Sequence, residues 1–169
     1  NLKVAFIADQ NLGEGAIAVV ELIKNEKTEM VIHSGDFDYI DNPELWDEQI
    51  NQVLGNDFPY FASIGNHDIK KWDEYQNKIK NRIEKIDDIE CKGDIGIKSS
   101  CNYKGLFFIL SGVGIKGSNH EEFIKNELED SSSIWRICSW HLNMNKMQTG
   151  EKEDGTGWEV YEECRIGGA

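Results

Sequence analysis

Four polar clusters each follow directly on an apolar run: Asp9-Gln10-Asn11, Gly35-Asp36-Phe37-Asp38-Tyr39, Gly65-Asn66-His67-Asp68 and Trp140-His141. Carboxylate, amide and imidazole groups are the donors that hard and borderline cations take from proteins. Taken singly, Asp9 and Asp36 read as N-caps or solvated loop carboxylates, and Tyr39 as an ordinary half-buried loop tyrosine. Gly-Asn-His-Asp is more specific. At ~5% usage per residue type, a fixed tetrapeptide arises by chance about once in 10⁵ positions. The chain carries a formal net charge of −13. It therefore has acidic groups to hold cations and lacks the clustered Lys and Arg needed for an unassisted grip on nucleic acid or an anionic membrane.

The elements that must position these clusters follow from hydrophobic periodicity. Residues 2–8 form an apolar run of strand length, and residues 13–25 carry helix-period apolar positions at Ile17, Val20 and Ile23. Residues 30–33 give a second strand, Asn42-Pro43 opens a helix to about Leu54, residues 59–63 give a third strand, and residues 72–86 an amphipathic helix. Further on, residues 93–97 and 102–110 read as strands of a hairpin or meander. Ser118-Asn119 caps a helix through residue 129, residues 134–139 form a strand, and residues 158–164 a helix. Strands alternating with helices imply an α/β fold with parallel βαβ topology in the first half. At 169 residues and 39% hydrophobic, a single domain is expected. Ligands collect at the carboxyl ends of strands in such sheets, where Asp9, Asp36, Asn66 and His141 all fall.

In order and spacing the clusters resemble the signature blocks of the calcineurin-like metallophosphoesterases. Tyr39, three residues after Asp36, resembles the purple acid phosphatase version. The resemblance runs from Asp9 to His141 and implies a two-sheet αββα sandwich flanked by helices. It also implies two metal ions, Fe paired with Fe, Zn or Mn. Asp36 would bridge them, Asp9 and Tyr39 would bind the first, and Asn66 and His141 the second. His67 would donate a proton or hydrogen bond to the phosphoryl or leaving oxygen, and Asp68 would orient its ring. Asn11 and Asp38 fall beside these as outer-shell candidates. The implied activity is hydrolysis of phosphate monoesters or diesters by a metal-bridging hydroxide. The implied partner is a phosphate-ester substrate, with nucleic acid entering only as a small phosphodiester.

Two departures from the family pattern carry expectations of their own. Asn11 stands where most members have histidine, which matters less if Tyr39 takes that coordination position. The family closes with Gly-His-x-His, whereas no histidine follows His141. The chain is thus expected to be cut before that motif, each metal one ligand short and metal binding weak. The rival from another class is a noncatalytic domain that keeps this fold as a binding module. A dinucleotide-binding module fits poorly, because Gly13-Glu14-Gly15 lacks the third glycine.

The remaining features have plainer readings. Cys91 and Cys101 flank a Gly-rich stretch that could close as a hairpin, with Cys138 and Cys164 a second pair, as in a secreted protein. Other connectivities and free buried thiols stay open. His33 reads as a satisfied core histidine and His120 as a helix-start residue. Trp46, Trp72, Trp135, Trp140 and Trp158 read as core and rim packing, and residues 151–154 as a solvated acidic loop. No run reaches the length of a membrane helix. The first residues enter a strand with no basic, apolar leader, so any signal peptide is expected to have been removed.

Overall fold

A computed structural model describes residues 1–142 and 158–169. The acidic stretch 151–154 and the side chain of Trp158 lie outside the described residues. In chain order the elements are β1 (Val4–Ile7), α1 (Glu14–Asn25), β2 (Met30–His33), α2 (Pro43–Leu54), β3 (Tyr60–Ala62), a 3-10 turn (Ile69–Lys71) and α3 (Trp72–Ile83). These are followed by β4 (Ile89–Asp94), β5 (Lys98–Tyr103), β6 (Leu106–Ser111), α4 (His120–Asp130), β7 (Trp135–Trp140) and α5 (Trp158–Ile166). The first three strands form a parallel sheet in the order β1-β2-β3. The other four form a sheet β4-β5-β6-β7, antiparallel except for the parallel pair β6-β7.

The apolar run of β6 shows why the sheets face one another. Side chains alternate along a strand. Phe108 and Leu110 point into a core shared with β2, β3 and helices α1 to α3, while Phe107 and Ile109 point the other way onto α4 and α5. Phe108 meets Phe61 of β3 at 4.8 Å between ring centroids, across the gap between the sheets. A strand covered on both faces reads as continuous apolar sequence, as β6 does. The result is two sheets packed face to face with helices outside them.

Local chemistry accounts for most boundaries. At α2, the Asn42 side chain accepts from the Leu45 N–H at 3.1 Å, with Pro43 at the first position. At α4 the expected cap differs: Asn119 sits in the left-handed region at φ 55° and its side chain makes no capping bond. The third helix closes at Ile83 rather than residue 86, because the Lys85 and Ile86 N–H groups turn back to Arg82 and Ile83 three residues earlier. The strands expected over 93–97 and 102–110 are corrected to three. Lys104 and Gly105, at φ 49° and 84°, make a two-residue turn between β5 and β6. Lysine is not a turn-forming residue by type, so the apolar run masked this break. Cys91 and Cys101 lie directly opposite on β4 and β5 and form a disulfide, and a second joins Cys138 of β7 to Cys164 of α5.

The tryptophans divide. Trp46 and Trp72 are core residues, whereas Trp135 is 74% exposed at the start of β7. His120 does begin α4 and is buried, held by Ser111 and the Lys116 carbonyl. His33 is fully buried in β2, its Nδ1 2.7 Å from the Tyr60 hydroxyl. That hydroxyl donates to Gln10, Gln10 to Gln49, and Gln49 to the Leu12 carbonyl. Since Tyr60 spends its proton on Gln10, the network assigns the ring hydrogen to Nδ1 of His33. Nε2 is then a lone pair and has no partner among the described residues. The satisfied histidine expected from sequence is therefore satisfied on one side only.

Burial lowers the His33 pKa from 6.5 to about 3. Between those values the unfolded chain binds the proton and the native chain does not. Stability should accordingly fall as pH drops below 6.5, by up to about 1.4 kcal/mol per pH unit from this residue. Urea unfolding at pH 7 and pH 5 should show a smaller loss in His33→Asn than in the parent, and equal losses would contradict this assignment.

Candidate metal centre

The site is built on backbone that continues past the strand ends. The N–H groups of Asp9, Gln10 and Asn11 donate to the carbonyls of Gly35, Asp36 and Phe37 at 3.1, 3.0 and 2.9 Å, so the loops after β1 and β2 stay zipped together. Phe37 anchors the second loop in the core, stacked on Trp46 at 4.5 Å. The loop after β3 approaches equally closely. A Cβ on Gly35, at φ 90°, would lie 2.5 Å from the Gly65 nitrogen, and one on Gly65 would collide with the Asp36 carboxylate. Glycine is needed at both positions for backbone to touch backbone. Asp9, Asn11, Asp36, Tyr39 and Asp41 all adopt left-handed backbone. That conformation is tolerable for Asp and Asn but costly for a ring-bearing residue such as Tyr39, and such strain concentrates at functional loops.

These loops bring donor atoms of Asp9, Asp36 and His141 within 4.8 Å of one another. Asp36 is buried. Its Oδ1 accepts from the His67 N–H at 3.0 Å and its Oδ2 lies 3.4 Å from His141 Nε2. The same Nε2 is 3.0 Å from Asn66 Oδ1. On the other side of the ring, Nδ1 lies 2.7 Å from the Ser34 carbonyl, which can only accept. Nδ1 therefore carries a hydrogen, and Nε2 faces two oxygens. A positive charge satisfies that arrangement, as a proton on Nε2 or as a cation between the donors. Burial works against charge on His141, but the Asp36 hydrogen bond and charge outweigh it, and the His141 pKa is raised. Burial likewise pushes Asp36 up, while His141 and the His67 N–H pull it further down, so its pKa ends below the ordinary value. The donor set fits a cation where the ion pair now stands.

On the exposed side, Tyr39 donates to Asp9 Oδ1 at 2.6 Å. Burial, that bond and the charges of Asp36 and Asp9 all hold the phenol proton, moving its pKa well above the usual value. A cation taken up there has to displace this proton. The exposed His67 ring lies 4.9 Å from the Tyr39 ring.

Asp9, Asp36, Tyr39, Asn66, His67 and His141 thus face one place at the carboxyl ends of the strands. Three other side chains turn away. Asp68 does not orient His67: its two oxygens accept from the N–H groups of Asp36, Phe37 and Gly65 at 2.9, 2.9 and 2.7 Å, pinning the two loops together. Asp38 bonds no ligand side chain and is spent on the Ile40 and Asn42 N–H groups and the Tyr75 hydroxyl. Asn11 Oδ1 accepts from the Leu12 N–H next to it. Two contributors escape sequence reasoning. The Ser34 carbonyl orients His141, and the Ser34 hydroxyl meets Ser139 of β7 at 3.0 Å. A carbonyl leaves no signal in residue type; only the place of Ser34 before Gly35 hints at it.

Comparison with known proteins bears on this arrangement. A family model described as calcineurin-like phosphoesterase matches residues 2–165. No curated protein matches. Among solved structures, the purple acid phosphatase PPD1 from yellow lupin (Lupinus luteus) seeds is similar in fold, with a TM-score of 0.71 at 16% identity. The match covers 98% of this chain and 36% of the lupin chain, so the chain spans about a third of that protein's length. Loops zipped at the strand ends, paired with a match over nearly all 169 residues, place this chain in the calcineurin-like phosphoesterase family.

Proposed function

We propose that the chain hydrolyses phosphate esters at a dinuclear metal centre held by Asp9, Asp36, Tyr39, Asn66 and His141, with Asp36 shared between the ions. The carrying observation is the His141 Nε2 atom facing the oxygens of Asp36 and Asn66, with its other nitrogen committed to Ser34. When bound, a pair of cations lowers the pKa of water and neutralises charge on attacking and leaving oxygens. The protein's own part is positioning. Ser34 holds His141 in the tautomer that aims Nε2 inward, and the His67 N–H holds Asp36. The His67 ring, exposed beside the Tyr39 ring, offers a hydrogen to a phosphoryl or leaving oxygen.

Tyr39 supports the purple acid phosphatase branch, with Fe(III) at the Asp9 side partnered by Fe, Zn or Mn, because a phenolate suits a ferric ion. The core shared by both sheets supports one domain. The two disulfides support an oxidising compartment. Among the described residues no helix is long and apolar enough to cross a membrane.

A second reading, a noncatalytic domain with this fold, is favoured by Asn11, whose side-chain oxygen is taken by the Leu12 N–H. Loading the chain with iron and zinc or manganese separates the two. The hydrolase reading expects two metals per chain, a visible tyrosinate–iron band, and release of nitrophenol from an aryl monoester or diester that a chelator abolishes. Two bound metals without turnover would leave the binding module.

A further inference from the structure

Resting on the metal-centre reading above, we propose that Gln10 is a positioning residue: its buried amide, clamped between Tyr60 and Gln49, holds the Asp9 loop against the Asp36 loop and so presents Asp9 to a cation. Gln10 stands between two residues of left-handed backbone, Asp9 at φ 52° and Asn11 at φ 67°. It is 9% exposed, whereas both neighbours are exposed. The loop thus sends Asp9 outward to its hydrogen bond with Tyr39 and Gln10 inward.

Inside, the bonds run in one sense. The Leu12 carbonyl can only accept, and it takes a hydrogen from Gln49 Nε2 at 3.1 Å. Gln49 Oε1 is left to accept from Gln10 Nε2 at 2.8 Å, and Gln10 Oε1 accepts from the Tyr60 hydroxyl at 2.8 Å. Turning either amide over would set oxygen against oxygen. These bonds fasten residues 10 and 12 of the first loop to β3 and α2, while the Gln10 N–H donates to the Asp36 carbonyl at 3.0 Å. One residue therefore ties the Asp9 loop to the Asp36 loop through its backbone and to the body of the fold through its side chain. An apolar residue of the same volume would fill the space with no polar atoms to satisfy, so packing alone does not account for glutamine here.

The test uses the full chain, first free of metal and then loaded with iron and zinc, in the parent and in Q10M and Q49L. The second variant cuts the same tie from α2, which holds none of the proposed ligands. Without metal, hydrogen exchange at the amides of residues 10 and 11 should quicken about tenfold or more relative to that of Val31, the effect of losing the side-chain bonds that clamp the loop. On loading, affinity for the ion on the Asp9 and Tyr39 side should fall about tenfold, with the tyrosinate–iron band fading, while one ion per chain stays on the Asn66 and His141 side. I124A, in the core on the far face of β6, should lower the thermal midpoint and leave both readouts as in the parent. Unchanged exchange in both variants would overturn the proposal. So would exchange that quickens while both ions hold at parent affinity, or the same loss of metal in I124A. A parent that takes up no metal pair, with exchange quickened in the variants, would refute the dinuclear centre while upholding the tie between the loops.

Discussion

Asp36→Asn is expected to remove hydrolysis of an aryl phosphate to the extent of roughly a thousandfold in kcat/KM, the scale of losing one preorganised electrostatic partner at a reacting centre. Asparagine keeps an oxygen for the His67 N–H that now bonds Asp36 Oδ1, so the loop geometry should survive. What disappears is the negative charge beside His141 and the shared carboxylate. Metal content should fall by at least one ion per chain. A readout independent of turnover follows from the direction of the His141 shift. With Asp36 neutral, burial acts on that ring against only the Ser34 carbonyl and the Asp9 charge, and its pKa should drop, which nuclear magnetic resonance titration of the imidazole can follow. A His141 pKa unchanged in D36N would contradict the coupling described between the two residues.

Asp68→Ala is expected to cost about 3 kcal/mol of stability and to separate the two loops that carry the site. Three buried N–H groups, those of Asp36, Phe37 and Gly65, lose their acceptor at once. Asp68→Asn should cost less, because a single amide oxygen can still accept from Asp36 and Gly65, which share Oδ2. Burial raises the Asp68 pKa from 3.8 to about 6 against the pull of those N–H groups. The native state then holds the proton more tightly than the unfolded chain. The associated stability is present below pH 3.8 and lost as pH rises through 6. Asparagine, which cannot ionise, should flatten that part of the profile. Urea unfolding across this range measures both effects, and a loss under about 1 kcal/mol in Asp68→Ala would show that the loops do not depend on this carboxylate.

Much of the fold was legible because its elements bury apolar groups with a clear period. The four residues of β2 are all buried, and the boundaries read from sequence match it to the residue. The same signal failed at Lys104-Gly105, where two apolar strands adjoin and the turn residue is a lysine. For the site, residue type and position after a strand located Asp9, Asp36 and Asn66 at the edge of the first sheet, but His141, expected at that same edge, follows β7 of the second sheet and reaches them from there. They did not say which way a carboxylate turns. Asp38 and Asp68 neighbour the site in sequence, yet both face inward to backbone N–H groups, since loops in left-handed conformation leave those donors unpaired and buried acceptors must meet them. The partner that orients His141 lies 107 residues earlier and is a carbonyl. Only the folded chain places it.

The most direct measurement is anomalous diffraction from crystals of the chain soaked in millimolar manganese or iron. Two peaks are expected in contact with the Asp36 carboxylate, one toward Asp9 and Tyr39 and the other toward Asn66 and His141, with the Tyr39–Asp9 hydrogen bond broken. Metal bound elsewhere on the surface, with Asp36 still paired to His141 and Tyr39 still donating to Asp9, would contradict the dinuclear centre.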